Sequence, residues 1–361
     1  MRSACLRCWS SLALHQTASS IARLRDLLCG TSRADGARAC RIRKSRSTAA
    51  DCSACFMTPS KHEPPVAFMS IAPLRPGTKT DGQVQAQFVS ASGERFAVKG
   101  DVLIGGDGIH SQLRRILFPD EGMPRWSGRL MWRGTANWSK FGDGKHFVIA
   151  GSNDSRLVLC PIAAGETDDT LLTNWVLVHR AAEDGSPLNR RQEWQGRADR
   201  ARCLKMLETF VVPDLDVHAL ASATENIWEY AMCDRNPLSR WSFGRVTLMG
   251  DAAHPMYPYG GSGAAQAILD AKSLAVQLVR ANGDMAGALD AYEQERRDKA
   301  NSVVMSNRQG GPERVIDFVV SRLSGSNANI EEVASFEERK AIVHGYAQIA
   351  GYAADQLRST A

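Results

Sequence analysis

A chain of 361 residues, 43% hydrophobic and 23% charged, has the composition of an ordinary globular protein and the length for one large or two modest cored domains. Its net charge of +5 arises mainly in the first fifty residues, where ten Arg or Lys face only Asp26 and Asp35, so the balance argues for neither a nucleic-acid nor a membrane partner. No apolar run reaches the roughly 18 residues of a transmembrane helix, and six of nine cysteines crowd into residues 1–55, a poor disulfide framework that fits a reducing compartment.

Residues 1–60 are rich in Arg, Ser, Ala and Cys, poor in acids and without sustained periodicity. Two readings stand: an organellar transit peptide, or a mispredicted or frame-shifted start. The apolar stretch at residues 12–14 is too short for a secretory signal. From Gln83 the pattern becomes regular. Residues 84–89 alternate apolar and polar as a half-buried strand does, and residues 96–98 continue after a turn at Ser92-Gly93-Glu94. Residues 101–105 read as a short buried strand entering a glycine-rich turn, and residues 110–117 as a helix. Four strand-like runs follow at 130–135, 147–150, 156–161 and 173–178, then a helical stretch at 191–210, enough for a sheet-based second domain. Residues 246–250 form another buried strand. Long helical patterns cover 262–280 and 285–305, and the tail from Glu331 is helical.

Two motifs carry chemistry. The first is Gly105-Gly106-Asp107-Gly108-Ile109-His110-Ser111-Gln112-Leu113-Arg114. Glycines after a buried strand let the backbone turn sharply and approach a ligand. Asp107 suits a ribose or ribityl hydroxyl or neighbouring amides, Ser111 suits the helix cap, and Arg114 places a cation one turn on. A capped strand-turn-helix with no ligand accounts for this segment equally well. The second motif runs from Val246 to Ala271 through Gly250-Asp251-Ala252-Ala253-His254-Pro255-Met256-Tyr257-Pro258-Tyr259-Gly260-Gly261-Ser262-Gly263-Ala264. A buried strand ends in Gly-Asp, a proline-stiffened loop follows, and small residues open a helix. Small residues leave helix N-terminal amides bare, and those amides with the helix dipole suit an anionic or electron-accepting ligand. The carboxyl end of a strand is where ligands sit in open α/β sheets.

Together the two segments resemble the Asp-Gly and Gly-Asp motifs of the class A FAD-dependent aromatic monooxygenases, the family of the salicylate and p-hydroxybenzoate hydroxylases, with a particular likeness to phenazine hydroxylases. Supporting stretches are Met131-Trp132-Arg133-Gly134, Asp143-Gly144-Lys145, Ser155-Arg156-Leu157-Val158, Asn174-Trp175-Val176, Asp234-Arg235-Asn236-Pro237-Leu238 and the pair Tyr292-Glu293 with Arg296-Arg297. The resemblance covers about residues 83–310. It implies a mixed α/β (α+β) fold: an incomplete FAD-binding Rossmann-like domain at 61–125 and 241–310, a sheet-based substrate domain inserted at 126–240, and a helical tail at 311–361. It implies that Asp251 hydrogen-bonds the ribityl chain of FAD, that Gly250 permits close approach, and that Pro258 and the backbone of Gly260, Gly261, Ser262, Gly263 and Ala264 line the isoalloxazine. Asp107, Gly108 and Arg114 fall in the cofactor and nicotinamide-nucleotide region, with Arg114 structuring the motif. Arg133, Tyr257 and Tyr259, with Trp132, are candidates for substrate contact. His254 is read as holding the turn through hydrogen bonds rather than as a base.

The implied reaction is hydroxylation of a small aromatic substrate with NAD(P)H and O2 through a flavin C4a-hydroperoxide, with FAD as cofactor and no metal. The family also begins with a Gly-x-Gly-x-x-Gly turn that cradles the FAD pyrophosphate, and residues 1–82 contain no such turn. That absence raises the alternative of a non-catalytic remnant that does not retain FAD. Ser262 stands where many relatives carry Gln, and Leu269 where many carry Glu. A metal module from Cys5, Cys8, Cys52 and Cys55 is a weaker alternative, because its two pairs lie too far apart for a zinc finger or ribbon. The expected location is cytoplasmic, or organellar if the front is a true transit peptide; oligomeric state stays open.

Overall fold

A computed structural model describes residues 83–353 except 91, 143, 145, 146, 189–195 and 324–328, together with Gln356 and the backbone of the strand Val66–Ile71. The expectations placed on residues 1–60, including the paired cysteines, lie outside the described residues. The elements alternate between sheets and helices, the mixed α/β class expected.

Three strands, β1 (Val66–Ile71), β2 (Val84–Ser90) and β3 (Arg95–Gly100), form an antiparallel sheet in that order. A second sheet has the order β10 (Ser242–Phe243), β11 (Val246–Leu248), β4 (Leu103–Gly105). Here β11 and β4 run parallel, with Leu248 opposite Gly105. Their carboxyl ends therefore lie side by side, and Met249 N–H donates to Gly105 O at 2.9 Å. Gly105 is required by packing: a Cβ there would lie 2.5 Å from Leu113 Cδ2 and 2.9 Å from Leu248 Cδ2. The chain leaves β4 through the first glycine-rich turn into α1 (Gln112–Leu117), and leaves β11 through the second motif.

The middle of the chain builds a five-stranded antiparallel sheet ordered β6 (Val148–Gly151), β7 (Ser155–Ala164), β8 (Thr170–Arg180), β5 (Arg125–Ser139), β9 (Trp228–Asp234). Side chains alternate across it, as the two-residue strand period requires. One face carries Trp132, Leu157, Leu159, Trp175 and Leu177, buried against Cys203 and Leu207 of α2 (Arg200–Leu207) and Val217 and Leu220 of α3 (Val217–Ser222). Trp175 Nε1 donates to Thr224 Oγ1 at 2.8 Å, and Gly134 leaves room for this pair, since a Cβ there would meet Thr224 Cγ2 at 2.5 Å. The opposite face carries Met131, Val176, Val178 and Met232, which pack on Tyr257 and Tyr259 of the second motif. The sheet thus seats its second face on the loop after Gly-Asp.

Helices α4 (Ser262–Arg280) and α5 (Met285–Arg308) form an antiparallel pair, α5 starting on Asp284, whose carboxylate accepts from Gly287 N–H at 3.0 Å. α5 is tied to the small sheet: Glu293 accepts Trp241 N–H at 2.8 Å and Ser242 N–H at 2.6 Å, and Tyr292 OH donates to Leu248 O at 3.1 Å. Its far end holds the large sheet through Arg308, whose Nε and Nη2 donate to the two oxygens of buried Asp234 at 2.6 and 3.0 Å. The tail continues with α6 (Arg314–Val320), α7 (Ile330–Val333) and α8 (Phe336–Ala350), the last entered through a Ser335/Glu338 capping box. Among the described residues no helix is long and apolar enough to cross a membrane.

Candidate functional site

The two motifs meet because their parent strands are neighbours, and Arg114 fastens them. Its guanidinium is 1% exposed. Nη1 donates to Ala252 O at 3.0 Å and Ala253 O at 2.8 Å, Nη2 to Asn236 O at 2.9 Å, and Nε to Glu121 Oε2 at 2.8 Å, with a further Nη2 contact to Glu121 Oε1. Those contacts occupy all five guanidinium N–H groups. Arg114 therefore ties the first motif to the second, and in this geometry all its N–H groups are taken up within the protein. Asp107, though exposed, is engaged locally: one oxygen accepts Ser111 Oγ–H at 2.5 Å and the other Gln112 N–H at 2.7 Å. It caps α1 together with Ser111, which accepts Arg114 N–H at 2.9 Å. Gly108 sits at φ 77° with open space where a Cβ would be, so it supplies the left-handed turn.

Asp234-Arg235-Asn236 straps this corner to the large sheet. Arg235 Nε donates to Ile109 O at 2.8 Å, and Nη1 donates to Glu121 Oε2 at 3.1 Å and Gly122 O at 3.0 Å. The sequence marked this stretch without assigning it a task; the task is closing the first motif.

Behind the Gly-Asp turn lies a buried ionic network. His254 Nε2 is 2.5 Å from Asp270 Oδ2, and both side chains are 0% exposed. Because an ionised carboxylate only accepts, His254 carries its proton on Nε2. Asp270 also accepts Gly250 N–H at 3.0 Å and Arg296 Nε–H at 2.8 Å, and Arg296 Nη2 reaches Gln266 Oε1 at 2.6 Å. Burial pushes the Asp270 carboxyl up, but the His254 and Arg296 contacts outweigh it, and the group lies below its ordinary pKa. His254 holds the turn, as expected. Asp270 and Arg296, one on each long helix, are the partners that sequence reading passed over; their spacing of 26 residues across a helical hairpin gives no local signal.

Asp251 is the reverse case. It is exposed, and no partner is recorded for its carboxylate among the described residues. Gly250 precedes it at φ 56°, with Ala267 Cβ 3.4 Å from the position a Cβ would take. Pro258 is exposed, and Gly260 and Gly261 follow in left-handed conformation at φ 65° and 62°. α4 then begins at Ser262 with no side-chain cap, so its first amides lack both an intrahelical acceptor and a capping oxygen. Open space surrounds the Cβ position of Gly261, and only Met256 Cγ, at 3.8 Å, approaches that of Gly263. Ala264 is exposed. Asp251, the double-glycine turn and the bare helix start thus form one polar ledge.

The substrate candidates divide. Trp132 faces the helix-covered side, 0% exposed, its Nε1 donating to Glu229 Oε2 at 2.8 Å, so it packs the core. Tyr257 and Tyr259 are buried between loop and sheet. Tyr257 OH accepts from Arg125 Nη1 at 2.7 Å, and Arg156 lies over the Tyr259 ring, 5.5 Å from its centroid. Burial raises the pKa of both phenols, so both stay protonated at neutral pH. Arg133 is exposed on the face of the sheet that meets the loop. Its Nε donates to Asn174 Oδ1 at 2.7 Å, and Asn174 Nδ2 lies 3.5 Å from Cys160 Sγ. Burial pushes the Cys160 thiol up, so it stays a neutral neighbour.

Comparison with known proteins gives the ledge a context. The FAD binding domain family matches residues 72–307. The chain is 39% identical over 234 residues to "Phenazine 1,6-dicarboxylic acid hydroxylase PhzS" of Lysobacter antibioticus, covering 64% of this chain and 56% of that protein. It is 35% identical over 218 residues to "3-amino-4-hydroxybenzoate 2-monooxygenase PtnB3" of Streptomyces platensis, covering 59% of this chain and 50% of that protein. The chain thus spans about half the length of these curated relatives. Among solved structures, Klebsiella pneumoniae HpxO complexed with FAD and uric acid superposes with a TM-score of 0.56 at 22% identity, over 80% of this chain and 67% of that one, a likeness of fold. The family match takes in both glycine-rich motifs and the sheet between them, and the chain belongs to the FAD binding domain family.

Proposed function

We propose that this chain carries the flavin-ring half of an FAD-dependent monooxygenase that hydroxylates a small aromatic acid with NAD(P)H and O2. The observation that supports it best is the ledge itself: an exposed aspartate with no recorded partner beside an uncapped helix N-terminus, at the carboxyl ends of two parallel strands. The residues fit the cofactor. Asp251 accepts from a ribityl hydroxyl, Gly250 lets the chain approach, and Pro258 with Gly260 to Ala264 borders the ring, where the helix-start amides of Ser262, Gly263 and Ala264 favour negative charge. When bound, FAD supplies the redox and oxygen chemistry. The protein's share is orientation and dryness: Met131, Val176 and Met232 give the sheet an apolar face toward the loop, and the buried tyrosines close its floor.

Arg133 is the anchor for the acid. Asn174 fixes its Nε, leaving the two terminal nitrogens to fork onto a carboxylate. The matched relatives act, by their names, on aromatic carboxylic acids, which accords with this reading. Replacing Arg133 with Ala is expected to weaken binding of an aromatic carboxylate about tenfold to a hundredfold, the range for a hydrogen bond to a charged group. The neutral amide of the same acid should bind both forms alike; equal loss for acid and amide would remove Arg133 from this role. The cofactor assignment is tested at Asp251. Asp251→Ala is expected to weaken FAD binding by about 1.5–3 kcal/mol, read as quenching of flavin fluorescence on titration, and an unchanged affinity would refute it.

A further inference from the structure

The loop that carries the ledge is braced from behind by a side chain that the proposed reaction does not use. Glu313 closes the short turn Gly311–Glu313 after α5 and is only 6% exposed. Its Oε1 accepts Gly260 N–H at 3.1 Å, and its Oε2 is buried with no partner among the described residues. On the other side of Gly260 stands Tyr346 of α8. A Cβ on Gly260 would lie 2.6 Å from Tyr346 Cε1, and the Tyr346 hydroxyl lies 3.2 Å from Tyr259 O, 2.8 Å from Ser262 Oγ and 2.9 Å from Asn307 Oδ1. The left-handed Gly260 is therefore clamped between a carboxylate and a phenol.

A second observation marks the same corner. Arg156 of β7 is 3% exposed, yet its Nε and Nη1 have no partner among the described residues, and its one recorded ion pair is Nη2 to Asp317 Oδ2 at 3.3 Å. A buried guanidinium half unpaired, next to a carboxylate half unpaired, is costly in a protein interior. Burial raises the Glu313 pKa to about 7, against the pull of Arg156 and the Gly260 N–H. The charged and titratable groups around Glu313 are Arg156 from β7, Tyr259 from the loop, Asp317 from α6, Tyr346 from α8 and Tyr352 just beyond it.

We propose that Glu313 is the positioning residue of the flavin loop: by taking the Gly260 amide it fixes the double-glycine turn that leads from Gly261 through buried Ser262 into the uncapped start of α4, where Gly263 and Ala264 reach the surface. The Gly260 amide is thereby committed to the protein, and the ledge presents the helix start alone. The identity of the ligand rests on the function proposed above; the bracing does not.

Amide hydrogen exchange on the full chain tests it, comparing the segment 256–264 with strands β7 and β8. Glu313→Ala is expected to speed exchange in 256–264 by about tenfold or more while β7 and β8 keep their rates. Glu313→Gln, whose amide oxygen still accepts Gly260 N–H, is expected to stay within about threefold of the parent. FAD affinity should follow the same order, falling about tenfold for the alanine form and little for the glutamine form. Unchanged exchange in Glu313→Ala, a rise of equal size in β7 and β8, or a glutamine form no better than alanine would overturn the proposal. Should the alanine form not fold, Glu313→Asp, whose acceptor is one methylene short, takes its place with the same expectations. If no form binds FAD while exchange still follows the Glu313 series, the proposed function fails and the bracing role stands.

Discussion

Replacing Asp270 with Ala is expected to destabilise the protein by about 3–5 kcal/mol, the cost of leaving a buried charge without its partner. The magnitude follows from what Asp270 does. It is 0% exposed and joins three groups from three places: His254 Nε2 from the loop, Gly250 N–H from the end of β11, and Arg296 from α5. Alanine leaves the Arg296 guanidinium buried with only Gln266, removes the acceptor of the His254 proton, and orphans the amide at the Gly-Asp turn. Asp270→Asn keeps the shape and one acceptor but loses the charge, so its effect should be smaller. Urea unfolding midpoints at unchanged slope measure both. A loss below about 1 kcal/mol for the alanine form would mean that the network contributes nothing beyond its hydrogen bonds. Because the Asp270 pKa is depressed, its stabilisation is present above the ordinary carboxylate range and is lost as pH falls through the folded value.

The second large effect runs the other way with pH. Burial raises Glu313 from the ordinary 4.5 to about 7. Between those values the folded chain binds a proton that the unfolded chain has released. The contribution of Glu313 is therefore fully present below the unfolded pKa and is lost as pH rises through about 7. The span corresponds to about 3 kcal/mol at the usual 1.36 kcal/mol per pH unit. Glu313→Gln does not titrate, so it should gain on the parent by that amount between about pH 5 and pH 8. Paired unfolding curves at the two pH values isolate this group, since every other titration is common to both forms. Parallel behaviour of parent and Gln form would place the Glu313 carboxyl in the ordinary range.

The elements that position the site were legible because their signals are local. The alternation at residues 84–89 became Val84–Ser90, the helical pattern at 262–280 became Ser262–Arg280, and that at 285–305 became Met285–Arg308. What escaped was long-range or short. The helix Val217–Ser222 and the strand Trp228–Asp234 fix few periods of pattern, and they exist because the large sheet covers or pairs them. At the site, Asp251, Gly250 and the glycine turn could be read from the sequence, since a strand end followed by small residues is a local device. Arg114 illustrates the limit. Its place in the first motif suggested a structuring cation, but only the fold shows what it joins: besides nearby Glu121, its partners Ala252, Ala253 and Asn236 lie more than a hundred residues away. Glu313 carried no signal at all, because Gly-Pro-Glu reads as a turn and only the fold places it behind Gly260.

In the function proposed above, the ledge of Asp251, the double-glycine turn and the uncapped α4 terminus holds the flavin ring. The most direct measurement is the visible absorption spectrum of the purified chain with excess FAD, before and after gel filtration. A perturbed flavin spectrum that stays with the protein, and is lost in Asp251→Ala, is the predicted result. A colourless chain, or one whose spectrum equals that of free FAD and parts from it on the column, would mean that this ledge does not hold flavin.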